Sequence, residues 1–104
     1  MPIMEISVVP IGTETVSLSE YVADSIKVLK KNKSIIYQLT SMGTIVEADT
    51  IEELFDIAGR MHNAVFNDRI TRVVTTIKID DRRGKKLSMD GKVKSVQQKL
   101  KGLK

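Results

Sequence analysis

The chain has 104 residues, 41% hydrophobic and 29% charged, with a formal net charge of +4. That length suits a single domain over residues 1–104 with an economical core, because a domain of this size buries roughly 65% of its unfolded surface. There is no Cys, which excludes a disulfide framework and a thiolate zinc site and is compatible with the cytoplasm.

No apolar run approaches the roughly 20 residues of a membrane span. The start, Met1-Pro-Ile-Met-Glu-Ile-Ser-Val-Val-Pro10, lacks the basic region and long apolar core of a signal peptide. The expectation is a cytoplasmic protein with no membrane partner. The basic excess is local, in residues 27–33, 82–86 and 92–104. The last of these reads as the solvent face of a helix, so a solvated lysine surface is favoured over a nucleic-acid footprint.

Met4 to Val9 reads as a strand, with Met4, Ile6 and Val8 alternating against Glu5, Ser7 and Val9, and with Pro10 and Gly12 ending it. A helix follows, from Ser17 or Ser19 to about Lys31. Leu18, Val22, Ile26 and Leu29 fall on one side of it, Ser17 and Glu20 fit a capping box, and lysines gather at its C-terminus. Two strands then flank a turn over Thr40 to Gly43, which sets Leu39 opposite Thr44, Tyr37 opposite Val46 and Ile35 opposite Ala48. Gly43 is assigned the positive φ that a tight reversal often needs. Thr50 and Glu53 fit a second capping box ahead of the clearest apolar stripe in the chain, Leu54, Ile57, Ala58, Met61 and Val65, in a helix that stops near Asn67. Arg72 to Ile79 reads as a fourth strand, Asp80 to Gly84 as a turn, and about Ser88 to Leu100 as a third helix on Val93, Val96 and Leu100.

The order β-α-β-β-α-β, then a helix, predicts an α+β, ferredoxin-like sandwich with an additional C-terminal helix. One sheet face, Met4, Ile6, Val8, Ile35, Tyr37, Leu39, Val46, Val73, Ile77 and Ile79, should meet the two helices. The other carries Glu5, Ser7, Val9, Ile36, Gln38, Thr40, Ile45, Glu47, Val74, Thr76 and Lys78. A solvated face does not need so many aliphatics, and a core face does not tolerate an unpaired carboxylate. This mixed face is therefore expected to be partly covered, by a subunit, the third helix or a ligand. The second strand is an expected sheet edge whose residues 34–40 could pair with a neighbour.

Catalytic constellations are missing from the sequence. The single His62 lies in the second helix without a nucleophile-elbow serine, and Asp80-Asp81 have no further ligand spacing, so neither a catalytic site nor a metal site is expected. No Gly-rich phosphate loop occurs. The first and third strands carry no aromatic on which an RNA base could stack, which argues against nucleic acid.

Pro10-Ile-Gly-Thr13, Tyr37-Gln-Leu-Thr-Ser-Met-Gly-Thr44 with Glu47, the lone His62, Arg72-Val-Val-Thr-Thr-Ile-Lys-Ile-Asp80 and Lys92-Val-Lys-Ser-Val96 resemble, in order and over nearly the whole chain, the small thiamine-binding proteins of the YkoF-like superfamily. Ala48 departs from the pattern, standing where the family often has Gly. The resemblance implies a ferredoxin-like fold, assembly as a homotetramer (a dimer of dimers), and non-catalytic binding of thiamine or a related pyrimidine, with no bound cofactor. The candidate ligand residues are Ser7, Gln38, Thr40, Thr44 and Glu47. Glu47 would meet the thiazolium or the aminopyrimidine, Ser7, Gln38 and Thr40 would bond the pyrimidine edge, and Thr44 is the residue to which the family pattern points. Two alternatives stay open: a structural or regulatory homo-oligomer without a small ligand, in which Glu47 pairs with Lys78 or an arginine, and an enzyme acting on a thiamine precursor through acid-base chemistry.

Overall fold

The computed structural model describes residues 1–12, 19–84 and 88–102. Seven elements follow one another: β1 (Ile3–Pro10), α1 (Ser19–Lys30), β2 (Ile36–Leu39), β3 (Thr44–Glu47), α2 (Ile51–Val65), β4 (Val73–Asp80) and α3 (Met89–Lys101). The strands form one antiparallel sheet in the order β2-β3-β1-β4, the ferredoxin-like arrangement, with β2 and β4 at its edges. The hairpin register is the one alternation predicts, Leu39 opposite Thr44 and Tyr37 opposite Val46. The proposed Ser17 cap of α1 lies outside the described residues.

The core lies between one sheet face and α1 with α2. Met4, Ile6 and Val46 from the sheet meet Leu29 from α1 and Leu54, Ile57 and Met61 from α2, all essentially without solvent exposure. Each such side chain contributes about 1.5–3 kcal/mol on burial, against the conformational entropy of ordering the chain. α2 supplies the largest helical share, because its stripe is intact from Leu54 to Val65. Thr50 caps it by accepting from the N–H of Glu53 at 3.2 Å. The reciprocal half of the expected capping box is replaced: the Glu53 carboxylate accepts from Ser34 Oγ and ties the segment before β2 to the start of α2.

Three expectations are corrected. Gly43 does not have a positive φ; among the described residues only Gly12 and Gly84 do. Gly43 is needed for close approach, since a Cβ there would stand 3.0 Å from the backbone oxygen of Ile6. Leu39 and Ile77 sit on the helix side by register but stay 57% and 40% exposed, because they lie on the edge strands beyond the cover of α1 and α2.

The strands differ in length in a way that shapes the site. β1 pairs with β4 along all eight of its residues, Ile3 to Pro10, but with β3 only from Ile3 to Ile6. The N–H of Ala48 donates to the carbonyl of Pro2 (3.3 Å), and the N–H of Ile11 donates to the carbonyl of Arg72 (2.9 Å). In an antiparallel ladder the bonded pairs alternate. The even-numbered residues of β1 therefore turn their amides towards β3 and the odd-numbered ones towards β4.

α3 stands apart from this sandwich. Ser88 caps it, its Oγ accepting from the N–H of Gly91 at 2.9 Å, and Lys92 pairs with Asp80 of β4. Beyond that first turn none of its residues is buried, and Val93, Val96 and Leu100 are each more than half exposed. The radius of gyration, 15.7 Å, accordingly exceeds the roughly 13 Å of a compact chain of this length.

Candidate functional site

A cleft of about 350 Å³ opens on the helix side of the sheet, at the end where β3 stops and β1 continues. Ile6 and Val8 of β1 form its floor, the β2–β3 turn forms one wall, and Val22 and Ser25 of α1 with Met61 of α2 form the other. Among the described residues no charged side chain lines it.

The turn is built by one side chain. Thr40 Oγ1 donates to the carbonyl of Gly43 (2.8 Å) and accepts from the N–H groups of Met42 (3.2 Å) and Gly43 (3.1 Å), while the N–H of Thr40 also reaches the carbonyl of Gly43 (2.8 Å). The hydroxyl of Thr40 is thus spent on the turn. Ser25, 4% exposed, donates to the carbonyl of Met61 at 3.4 Å and fastens α1 to α2. Thr44 differs from both. It is 4% exposed, lines the cleft, and its hydroxyl makes no hydrogen bond to a described residue. No buried side-chain oxygen among the described residues is sealed off without a partner, so Thr44 Oγ1 opens to the cleft.

Of the five residues singled out from sequence, Ser7, Thr40 and Thr44 border this cleft, and Gln38 and Glu47 stand elsewhere. Gln38 is exposed on the edge strand β2. Glu47 is 3% exposed and lies on the open face of the sheet, beside Ile3, where its Oε2 accepts from the N–H of Met89 at the start of α3 (3.4 Å). That contact sets a carboxylate against the positive end of a helix dipole. A shallower, charged groove of about 590 Å³ adjoins it, between Glu5, Lys78, Asp80, Asp81 and Lys92. His62 is half-buried, with Nδ1 2.6 Å from Thr75 Oγ1 and its ring edge-on to Phe66, and does not line the cleft. Ala48 lies wholly in the core and does not line it either. Sequence reasoning missed Val8 and Ser25. Ser25 left a signal, a hydroxyl three residues after Val22 on the buried side of α1.

Comparison with known proteins gives one family. The model of the thiamine-binding protein family matches residues 4–97. The UPF0045 protein YqgV of Bacillus subtilis is 43% identical over 103 residues, covering 96% of this chain and 98% of its own. A UPF0045 protein of Methanothermobacter thermautotrophicus is 42% identical over 96 residues, covering 92% of this chain and 96% of its own. Among solved structures, a hypothetical protein of Methanocaldococcus jannaschii superposes with a TM-score of 0.83 at 32% identity, over 92% of this chain and 95% of that one. A Thermotoga maritima protein assigned provisionally to thiamine biosynthesis or salvage superposes with a TM-score of 0.75 at 23% identity, over 91% of this chain and 97% of that one, a likeness of fold. With the family model matching residues 4–97 and a relative 43% identical over nearly the whole of both chains, this chain belongs to the thiamine-binding protein family.

Proposed function

We propose that this protein binds thiamine or a related pyrimidine in the cleft between the sheet and α1, without catalysing a reaction on it, as a cytoplasmic homo-oligomer. The observation that carries the reading is the hydroxyl of Thr44, nearly buried, without a hydrogen-bond partner among the described residues and open to a mostly apolar cavity. Burying a hydroxyl without a hydrogen bond costs about 1–3 kcal/mol, and a ligand that bonds to it recovers that cost. Apolar walls with a few polar groups suit a flat heterocycle. Family membership supports the ligand class. Ser7, Thr40 and Thr44 border the cleft, and of these Thr44 is the one whose hydroxyl faces it uncommitted, since Thr40 is engaged in the turn and Ser7 belongs to the opposite pleat of β1. Glu47 is reassigned to holding α3, and Gln38 to the sheet edge.

Assembly with further copies is supported by the uncovered stripe on α3. Val93, Val96 and Leu100 recur at helical spacing, yet each stays more than half exposed, with no described residue covering it. A second copy of the chain is the partner that would.

Isothermal titration of the purified protein with thiamine, its phosphates and the free pyrimidine tests the reading. Saturable heat at one site per chain, or one per two chains, is expected. No heat from any of them, with a protein shown to be folded and oligomeric, would overturn it in favour of a structural interaction protein.

A further inference from the structure

The helix layer carries a second concave surface, which shares no residue with the cleft. Two adjoining grooves, of about 600 Å³ and 310 Å³, follow the seam between α1 and α2 and run into the segment after α1. Val28, Lys31 and Arg60 border both, Lys27 borders the first and Lys33 the second. Four cations thus converge on one seam, against a single bordering carboxylate, Asp24. Part of this charge is offset: Asp24 pairs with Lys27 at 3.3 Å, and Asp56 pairs with Arg60 at 3.1 Å. Lys31 and Lys33 have no ion-pair partner among the described residues. The Asp56 contact uses Arg60 Nε, which holds the guanidinium and leaves its two Nη groups without a described partner. A helix C-terminus draws lysines in any case, because they face the negative end of its dipole. That account covers Lys27 and Lys31, at the end of α1, but not Lys33, which lies beyond it, nor Arg60, which lies within α2.

We propose that this seam is a second binding site, for a chain of two or more phosphoryl groups. The fork of Arg60 takes one phosphoryl group through its two Nη groups, a geometry that a planar guanidinium matches bidentately, and Lys31 and Lys33 take the next as point charges. Lys27 and Lys31 stand one helical turn apart, about 6 Å between their Cβ atoms. A single phosphate therefore meets fewer of the four cations than a diphosphate or triphosphate does. Among the described residues no aromatic side chain borders either groove, so a base or another ring finds nothing on which to stack. The phosphate chain is the part recognised, whether it is inorganic or carried on a nucleoside. All four cations stand at the surface, so their attraction for the anion is screened by salt.

The test titrates the purified full chain, at low salt, with inorganic phosphate, inorganic triphosphate, adenosine triphosphate and adenosine. The two triphosphates should bind within about threefold of each other, phosphate at least about tenfold more weakly, the size of one lost charge-assisted hydrogen bond, and adenosine not at all. Raising the salt to about 0.5 M should weaken triphosphate by at least about fivefold. Arg60→Gln and Lys31→Gln should each weaken it by about tenfold, and Arg60→Lys, which keeps the charge and loses the fork, by at least about threefold. Lys99→Gln removes the same charge from α3 and should stay within about twofold. In a nuclear magnetic resonance titration the amides of residues 27–33 and 60–64 should shift with triphosphate, and those of Ile6, Val8 and Thr44 should not. The proposal is overturned if no phosphate compound gives saturable heat, if Lys99→Gln costs as much as Arg60→Gln, or if the shifts fall in the cleft instead. Adenosine triphosphate binding at least about tenfold tighter than inorganic triphosphate would show that the ring is held, and would refute recognition of the chain alone. A single-stranded oligonucleotide that displaces triphosphate, with at least about tenfold higher affinity, would make the seam a nucleic-acid surface and refute it too. None of these readouts involves the cleft, so a failure of thiamine binding and a failure of this site are told apart.

Discussion

Replacing Gly43 by Ala probes the geometry of the site most directly. A Cβ at position 43 would lie 3.0 Å from the carbonyl oxygen of Ile6. Carbon–oxygen contacts across strands ordinarily fall at about 3.3–3.6 Å, so the new methyl is too close by about 0.3–0.6 Å. The obstacle is backbone of β1, paired on both sides at Ile6, and it has no flexible end that can swing away. Forcing a methyl into a packed place costs about 1–3 kcal/mol. The loss of glycine entropy in the unfolded chain returns about 0.4–1 kcal/mol. The net expectation is destabilisation by about 1–2 kcal/mol, a fall in Tm of roughly 4–15 °C for a chain of this size. Gly59→Ala is the matched control. Gly59 lies inside α2 with nothing within 4 Å of its virtual Cβ, so the same change there should stabilise by about 0.5–1 kcal/mol. Urea denaturation of the two variants and the parent, at one protein concentration, reads both effects. If Gly43→Ala is as stabilising as Gly59→Ala, the close approach that closes this end of the sheet is wrong, and the shape of the cleft with it.

Thr44→Val should leave stability unchanged or raise it by up to about 1 kcal/mol, because the hydroxyl it removes has no partner among the described residues; a loss above that, measured by thermal denaturation, would mean the hydroxyl is engaged. Glu47→Gln should leave thiamine affinity within about twofold, and a tenfold loss in titration would return the carboxylate to the ligand site. Glu47→Ala removes the acceptor for the N–H of Met89, so the first turn of α3 should fray, read as a loss of helical circular dichroism with the rest of the fold intact. Val96→Asp changes a residue 57% exposed in its own chain and should alter the stability of the isolated chain by no more than about 0.5 kcal/mol. If α3 joins copies, the same variant should sediment as a smaller species, and an unchanged mass would place the assembly contacts elsewhere.

The elements that could be read from sequence were those set by local period. Alternation through Ile35, Tyr37 and Leu39 and again through Val46 and Ala48 gave the hairpin its register, and the stripe from Leu54 to Val65 gave α2 its length and its buried side. Depth of burial was not legible in the same way. Leu39 and Ile77 have the period of core residues, yet how far a helix reaches across a sheet is decided by its packing, and both ended exposed. Glu53 had the spacing of a capping box, but Ser34, nineteen residues earlier, took its carboxylate. The candidate site was legible only in part. Period put Thr44 on the helix side, where it lies. Alternation carried Thr40 to the open face, whereas its hydroxyl turns into the hairpin and makes the turn. That Val8 and Ser25 border the same cleft follows from the difference in length between β1 and β3 and from the crossing of α1 over the sheet, which no local pattern encodes.

One consequence of that arrangement is a division of labour between the two sides of the sheet. The cleft with Val8 and Thr44 opens on the helix side, whereas Glu47 and the first turn of α3 lie on the other, with β1 and β3 between them. Neighbouring residues of one strand therefore serve different ends: Thr44 faces the cleft, and Glu47, three positions along and so of opposite pleat, holds the helix. A four-residue strand is too stiff and too short to let one of these positions shift without the other, since its register with β1 fixes both at once. The Met-Gly-Thr turn and the downstream glutamate are linked for this reason. The turn bounds β3 closely enough to leave Val8 without a partner on the β3 side, and the glutamate, at the far end of the same short strand, fixes where α3 begins.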